Sequence, residues 1–132
     1  LETARMADYV NSHKEGIYYE LSQSGANLSG GQKQRINIAR TIFKKSSVYV
    51  FDDSFSALDF LTESKLRRAL SVELKGKTQI IITQRISTAI HSDRIFVMAN
   101  GKIVGEGSHD DLINTCEIYK EIYASQMGEV KK

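Results

Sequence analysis

A serine followed by two glycines, at residues 29–31, forms a pattern that is suited to binding an anion. Apolar residues recur behind it at helical spacing, at Ile36, Ala39 and Phe43. Ser29 is a preferred N-cap residue, so we predict a helix that runs from Gly30 to about Lys44. The free N–H groups and the dipole at such a helix start offer about half a positive charge to an anion. Taken alone, the pattern is explained equally well as a flexible helix cap.

An acidic pair, Asp52 and Asp53, ends the short apolar run Val48–Phe51. Continuous apolar runs of this length are typical of strands that are buried on both faces of a parallel sheet. A second run, Gln79–Thr83, ends at Gln84. In open α/β sheets ligands bind at the carboxyl ends of the strands. The two aspartates and the glutamine are therefore candidate site residues.

The other elements alternate helix and strand, which predicts an α/β fold with helices on a mostly parallel sheet. A helix is predicted over Ala57–Leu74, with Glu63 on its solvent side and with a buried face of Leu58, Leu61, Leu66, Ala69 and Leu70. Asn100-Gly101 predicts a hairpin turn. Ser108 and Asp111 have the spacing of a capping box at the start of a helix.

The composition narrows the class of protein. The chain has 132 residues, of which 41% are hydrophobic and 26% charged, as in an ordinary globular domain. A net charge of +2 favours neither a nucleic acid nor a membrane surface as partner. The single cysteine, Cys116, cannot form an internal disulfide, which indicates a reducing compartment. The sequence begins at Leu1 in helix-like sequence, so we expect a piece of a longer protein.

Three segments together closely resemble the ATP-binding cassette (ABC) ATPases, in the order and spacing of that family. They are Leu28–Gln32 (signature motif), Val48–Asp53 (Walker B motif) and Ser56–Asp59 (D-loop). Gln79–Ala89 resembles the segment around the family's switch histidine, and Tyr119–Met127 is most similar to the exporter branch. The resemblance implies a partial P-loop NTPase (RecA-like) core joined to part of the helical signature subdomain.

The resemblance divides the chain at residue 46. Residues 1–46 correspond to the later part of the helical subdomain, and residues 47–132 to the C-terminal part of the ATPase core. The P-loop pattern of Gly, four residues, Gly-Lys and Ser or Thr is not matched. Gly76-Lys77-Thr78 imitates its end, but Ser71 stands where the first glycine belongs, and a strand follows. We therefore expect half of an ATP-binding domain, inactive by itself and with apolar surface exposed.

The family's roles carry over to individual residues. The signature residues Ser29, Gly30, Gly31 and Gln32 would bind ATP that is held by a second domain, and Asp59 of the D-loop would also be a nucleotide contact. Asp52 would hold Mg²⁺, as a Walker B aspartate does. We interpret the basic residues Lys33, Arg35 and Arg40 as a solvated helix face.

Two candidate catalytic residues depart from the family pattern. Asp53 stands where a glutamate normally polarises the attacking water, and its side chain is one methylene shorter. A misplacement of about 1 Å can cost about a hundredfold in rate. Gln84 replaces the switch histidine and cannot carry its positive charge near neutral pH. Both changes would weaken hydrolysis at the same nucleotide.

The combined prediction is the degenerate half of a heterodimeric ABC exporter at the cytoplasmic face of the cell membrane. ATP and Mg²⁺ would be its cofactors, and a second nucleotide-binding domain and a transmembrane domain upstream in the same chain its partners. No nucleic acid is expected, because the exporter-like tail and the absence of coiled-coil heptads argue against an SMC-like DNA-repair ATPase. A homodimeric exporter with slow turnover and a non-hydrolysing, ATP-gated interaction module remain as alternatives.

Overall fold

The structure is a computed structural model, and it describes residues 1–128. The chain divides into two units, of which the first is Leu1–Ile82 and the second begins at Thr83. Residues 129–132, the end of the predicted segment 47–132, lie outside the described residues. The division at residue 46, which comes from the resemblance, stays a prediction.

The first unit contains four α-helix and strand elements that bear on the site. They are helix α2 (Gly30–Phe43), strand β1 (Val48–Asp52), helix α3 (Phe60–Glu73) and strand β2 (Thr78–Ile82), preceded by the short helix α1 (Ala7–Asn11) and by 3₁₀ turns at Gly16–Tyr18 and Gln23–Gly25. β1 and β2 pair in parallel, with Val48 opposite Thr78 and Asp52 opposite Ile82. The predicted α/β fold with a parallel sheet is therefore confirmed.

The sheet of the first unit is buried on one face. Tyr49 and Phe51 of β1 lie in the core, whereas Val48 and Val50 are 51% and 54% exposed. Within the described residues β1 is therefore buried on one face and not on both, and its other face is the exposed apolar surface expected of half an ATP-binding domain. An unbroken apolar run gives every residue the same preference for burial, so only the packing of neighbouring elements decides which face is covered.

Helix α3 buries most of the face that its leucine pattern predicts, with two exceptions in its first turns. Leu66 and Leu70 are buried, but Leu61 is 61% exposed. Glu63, predicted on the solvent side, is instead buried, and its Oε1 lies 3.5 Å from Arg67 Nε. Because the charge of Glu63 is paired one turn away, its carboxylate can occupy the buried stripe. In α2, likewise, Ile38 lies in the core, whereas Phe43, one of the apolar residues whose spacing predicts this helix, is exposed.

The second unit is built on an antiparallel hairpin. Strands β3 (Ile95–Ala99) and β4 (Lys102–Gly107) pair around Asn100 and Gly101, whose φ angles of 50° and 72° fit a tight hairpin turn. Helix α4 (Ile86–Ala89) precedes the hairpin, and helices α5 (His109–Thr115) and α6 (Glu117–Met127) follow it. The predicted hairpin and the capping box of Ser108 and Asp111 are both confirmed.

The packing of the second unit's core explains why a glycine stands at residue 105 and where the single cysteine lies. The core side chains are Ile86, Ile95, Val97, Leu112, Cys116 and Tyr119. A Cβ atom at Gly105 would lie 2.7 Å from Cys116 Sγ, so β4 reaches this close only without a side chain there. Cys116 has a free thiol and is buried, so it acts as a small apolar residue of this core. Across residues 1–128, no helix has the length and apolar character needed to cross a bilayer.

The contrast between two leucines of α3 gives a test of this packing. Leu66→Ala should lower the free energy of unfolding by about 2–5 kcal/mol, because it leaves a cavity in the core. Leu61→Ala, on the exposed side of the same helix, should change it by no more than about 0.5 kcal/mol. Urea unfolding of the protein that carries this chain measures both values. Similar losses for the two variants would contradict the orientation of α3.

Candidate functional site

A capping box closes the start of α2, as the sequence predicts for Ser29. Ser29 Oγ accepts a hydrogen bond from Gln32 N at 3.2 Å, and Gln32 Oε1 accepts one from Ser29 N at 2.7 Å. The amide oxygen of Gln32 is therefore engaged within its own helix. The two bonds of the box do not involve the N–H groups of Gly30 and Gly31, which point along the helix axis with the positive end of the dipole.

The two glycines differ in the space around them. A Cβ atom at Gly31 would lie 3.2 Å from both the Ala57 carbonyl oxygen and Leu58 Cδ2. At Gly30 the nearest atom would be Ala57 Cβ at 3.4 Å, an ordinary contact. Gly31 therefore favours the close packing of α2 against the loop before α3, because a side chain there would require its neighbours to shift by a few tenths of an ångström. Gly30, in contrast, tolerates a side chain sterically.

An open cavity of about 360 Å³ brings the signature motif and the D-loop together. It is lined by Ser29, Gly30, Gly31, Arg35, Ala57, Leu58, Asp59 and Thr62. Arg35 was predicted on a solvated face, but it lines this cavity and its Nε is buried. A cation in the cavity wall strengthens the attraction for an anion that the helix start already provides.

Asp59 forms the N-cap of α3. Its Oδ1 accepts a hydrogen bond from Thr62 N at 2.9 Å. Hydrogen bonds from the Thr62 hydroxyl and then from the Thr62 backbone amide hold the pKa of the Asp59 carboxyl below its ordinary value of 3.8. The carboxylate is therefore ionised near neutral pH, and one of its oxygens is occupied by the helix cap.

The acidic pair lies beside a second, smaller cavity of the first unit, of about 180 Å³. Asp52 ends β1, and the N–H of Asp53 donates to the Ile82 carbonyl at 2.9 Å. Asp53 has a φ of 46°, a left-handed conformation that aspartate adopts more readily than most side chains. Both carboxyl groups are exposed. The predicted site residues of this unit, apart from Gln32, are thus divided between two cavities that share α2 as a wall, and Gln32 lines neither.

Gln34 joins the walls of the two cavities and was missed as a site residue. Its Oε1 accepts a hydrogen bond from Ala57 N at 3.0 Å, and its Nε2 donates to the Asp53 carbonyl at 3.2 Å and to Ser56 Oγ at 3.0 Å. One amide therefore holds both ends of the loop Asp53–Ala57 against α2. No local pattern announces such a contact, because its partners are 19–23 residues away.

Gln84, the residue in the place of the switch histidine, belongs to the second unit. Its side chain is exposed, and its backbone carbonyl accepts a hydrogen bond from Gln126 Nε2 at 2.7 Å. Across the described residues, histidine, cysteine and acidic side chains form no group of three or more that could hold a metal ion. A Mg²⁺ ion at Asp52 would therefore take its remaining ligands from water and nucleotide phosphates, which is how this ion is commonly bound.

Comparison with known proteins identifies the class. The sequence model described as "ABC transporter" matches residues 2–56. The chain is 46% identical over 112 residues to an ABC transporter ATP-binding protein of Mycobacterium tuberculosis (strain ATCC 25618 / H37Rv), covering 85% of this chain and 19% of that protein. It is 40% identical over 126 residues to the ATP-dependent lipid A-core flippase of Burkholderia orbicola (strain AU 1054), covering 96% of this chain and 21% of the flippase. The chain belongs to the ABC transporter ATP-binding family.

A solved structure narrows the assignment within that class. A bacterial Atm1-family ABC exporter with ATP bound superimposes with a TM-score of 0.91 at 36% identity, covering 96% of this chain and 22% of the exporter. The chain thus has the fold of part of an ABC exporter ATP-binding domain. It spans about a fifth of the length of the relatives that it matches.

The Gln34 bridge can be tested by replacing its amide. Gln34→Met keeps the length of the side chain but removes all three hydrogen bonds, and we expect a loss of about 1–3 kcal/mol in the free energy of unfolding. Lys33→Met, at the preceding position, leaves the bridge in place and should cost much less. Urea unfolding compares the two variants. Equal stability of Gln34→Met and the parent protein would show that the loop does not depend on this bridge.

Proposed function

We propose that this chain is part of the ATP-binding and hydrolysing domain of an ABC exporter. The complete protein couples ATP binding and hydrolysis to transport, with a transmembrane domain upstream in the same chain and the ATP-binding domain at the cytoplasmic face of the cell membrane. The observation that carries the proposal is the arrangement of the first unit. The signature glycines and the D-loop line one cavity, and the Walker B aspartates line another. The flippase and exporter relatives support the direction of transport.

The first cavity binds the phosphates of a nucleotide that is held by a second ATP-binding domain. The amides of Gly30 and Gly31 and the dipole of α2 attract the terminal phosphates, and Arg35 adds a positive charge to the wall. Ser29 and Gln32 keep the helix start in shape through the capping box. Asp59 keeps the D-loop at the rim of the cavity by capping α3.

The second cavity serves this domain's own nucleotide. Asp52, exposed at the end of β1, would hold Mg²⁺. An ion held there would supply positive charge to neutralise the phosphates. Asp53 and Gln84 occupy the positions that polarise the attacking water and contact the γ-phosphate. The shorter carboxylate and the neutral amide make this nucleotide turn over slowly.

These two assignments make the protein asymmetric. Its signature motif is intact and completes an efficient site for the partner's nucleotide. The site for its own nucleotide, with Asp53 and Gln84, binds ATP and hydrolyses it slowly. The protein is therefore the degenerate half of a heterodimer. Gln34, which lies between the two cavities, keeps the efficient and the slow half-sites at a fixed separation.

Charge at Gly30 tests the role of the first cavity. Gly30→Asp places a negative charge where phosphate is bound, and should lower ATP turnover by the assembled pair by at least about tenfold. Gly30→Asn is nearly the same size and neutral, and the surrounding space accepts a side chain at this position, so it should retain much more activity. Asp53→Asn should cost less than Gly30→Asp. Equal losses from Gly30→Asp and Asp53→Asn would contradict the asymmetry.

Restoring the family residues tests the heterodimer. The double change Asp53→Glu and Gln84→His should raise ATP turnover when the partner is present. The site that binds this domain's own nucleotide then has a carboxylate of the family's length and a histidine that can carry positive charge. The same double variant without a partner should show no large gain, since its nucleotide still lacks a second signature motif. A gain of about tenfold by a single self-associating protein would favour a homodimer with two slow sites. ATP-driven association without phosphate release from any complex would indicate an interaction module.

A further inference from the structure

The start of helix α4 has no cap of its own. α4 begins at Ile86, whose side chain is buried, directly after the switch residue Gln84 and Arg85. The Arg85 side chain makes no cap hydrogen bond. The first N–H groups of a helix have no partner within the helix, and a buried group of this kind is costly when left unpaired. The Ile86 amide therefore needs an acceptor from another part of the chain.

Gln126 of helix α6 supplies that acceptor and a donor as well. Its Oε1 accepts a hydrogen bond from Ile86 N at 2.8 Å, and its Nε2 donates to the Gln84 carbonyl at 2.7 Å. Both distances lie at the short end of the range for such bonds. The two backbone groups flank Arg85, so one side-chain amide restrains the backbone on both sides of that residue. Thr83 Oγ1 adds a third restraint, since it accepts a hydrogen bond from Arg85 N at 3.0 Å.

Helix α6 is a firm support for this bridge. Tyr119, one of its first residues, is 2% exposed in the core of the second unit, and its hydroxyl lies 2.9 Å from His109 Nδ1. Ile122, Tyr123 and Met127 pack partly buried against the same core. Gln126 itself is exposed, so its own packing contributes little to that core. The bridge therefore transmits the position of α6 to the switch segment without being part of the hydrophobic packing.

We propose that Gln126 is a positioning residue for the switch segment Gln84–Ile86, and that helix α6 sets through it where the Gln84 side chain can reach. The functional consequence rests on the proposed function, because it requires that residue 84 contacts the γ-phosphate. The hydrogen bond from Gln126 Nε2 to residue 84 uses only the backbone carbonyl of that residue. The bond therefore persists when Gln84 is replaced by histidine.

Exchange of backbone amides in the full-length protein, assembled with its partner, measures the bridge directly. Gln126→Met keeps the length of the side chain and removes both hydrogen bonds, and should speed exchange in a peptide covering residues 83–90 by about fivefold to tenfold. Gln126→Glu retains the acceptor for Ile86 N and loses the donor, so its effect should be smaller. Ser125→Met, at the preceding exposed position of α6, should exchange at the parent rate.

Kinetics in the Asp53→Glu, Gln84→His background separate positioning from stability. There Gln126→Met should lower kcat by about tenfold and leave KM for ATP within about twofold, because the switch residue acts in the chemical step. Ser125→Met should leave kcat unchanged. A variant that merely unfolded some of the protein would lower the melting temperature, with unchanged kcat for the folded fraction.

Two results would overturn the proposal. One is parent-like exchange at residues 83–90 in Gln126→Met, and the other is faster exchange with an unchanged kcat. If the background variant with Gln126 intact hydrolyses no more ATP than the parent, the proposed degenerate site fails instead. The exchange rates then decide by themselves whether Gln126 holds the switch segment.

Discussion

The hydrogen bonds of Gln34 fix the distance between helix α2 and the loop that joins β1 to α3, and both cavities of the first unit depend on that distance. Within the loop Asp53–Ala57, the Ser56 backbone amide and hydroxyl both donate to the Asp53 carbonyl. The Gln34 side chain, on the helix that also carries the signature motif, adds the bonds that join this loop to α2. Gly31 allows the same approach by leaving room for the Ala57 carbonyl. Moving α2 would therefore change the walls of both cavities together.

Long amide side chains have a similar role elsewhere in the chain. Gln32 closes the capping box of α2, and Gln126 restrains the segment that begins α4. A glutamine suits these positions because it carries a donor and an acceptor at the end of a flexible stem. It can thus satisfy an N–H and a carbonyl of one loop at the same time. These loops are held by polar bonds from side chains, whereas the helices behind them are held by apolar packing.

Local features were predictable where neighbouring residues decide them. The Ser29 and Ser108 caps and the hairpin at Asn100-Gly101 depend on short-range chemistry, and the structure confirms them. The α/β fold was predictable from the alternation of helices and strands along the chain, and it is confirmed as well. Burial was less predictable. Leu61 is exposed and Glu63 is buried, because the residue at which α3 begins sets which of its side chains face the core. The ion pair with Arg67 allows the charged Glu63 to be one of them. Val48 and Val50 show the same difficulty for a strand.

The sequence by itself determined the family, through the order and spacing of the Leu28–Gln32, Val48–Asp53 and Ser56–Asp59 segments, and the two departures at Asp53 and Gln84. These are properties of residue type and position along the chain, so no contact is needed to observe them. Only the tertiary structure decided that Gln34 and Arg35 lie in the walls of the cavities and that Gln126 binds the backbone of residue 84, because their contacts join residues that are distant along the chain. A side chain that binds the backbone of a remote loop depends on the path of the chain, which no local pattern records.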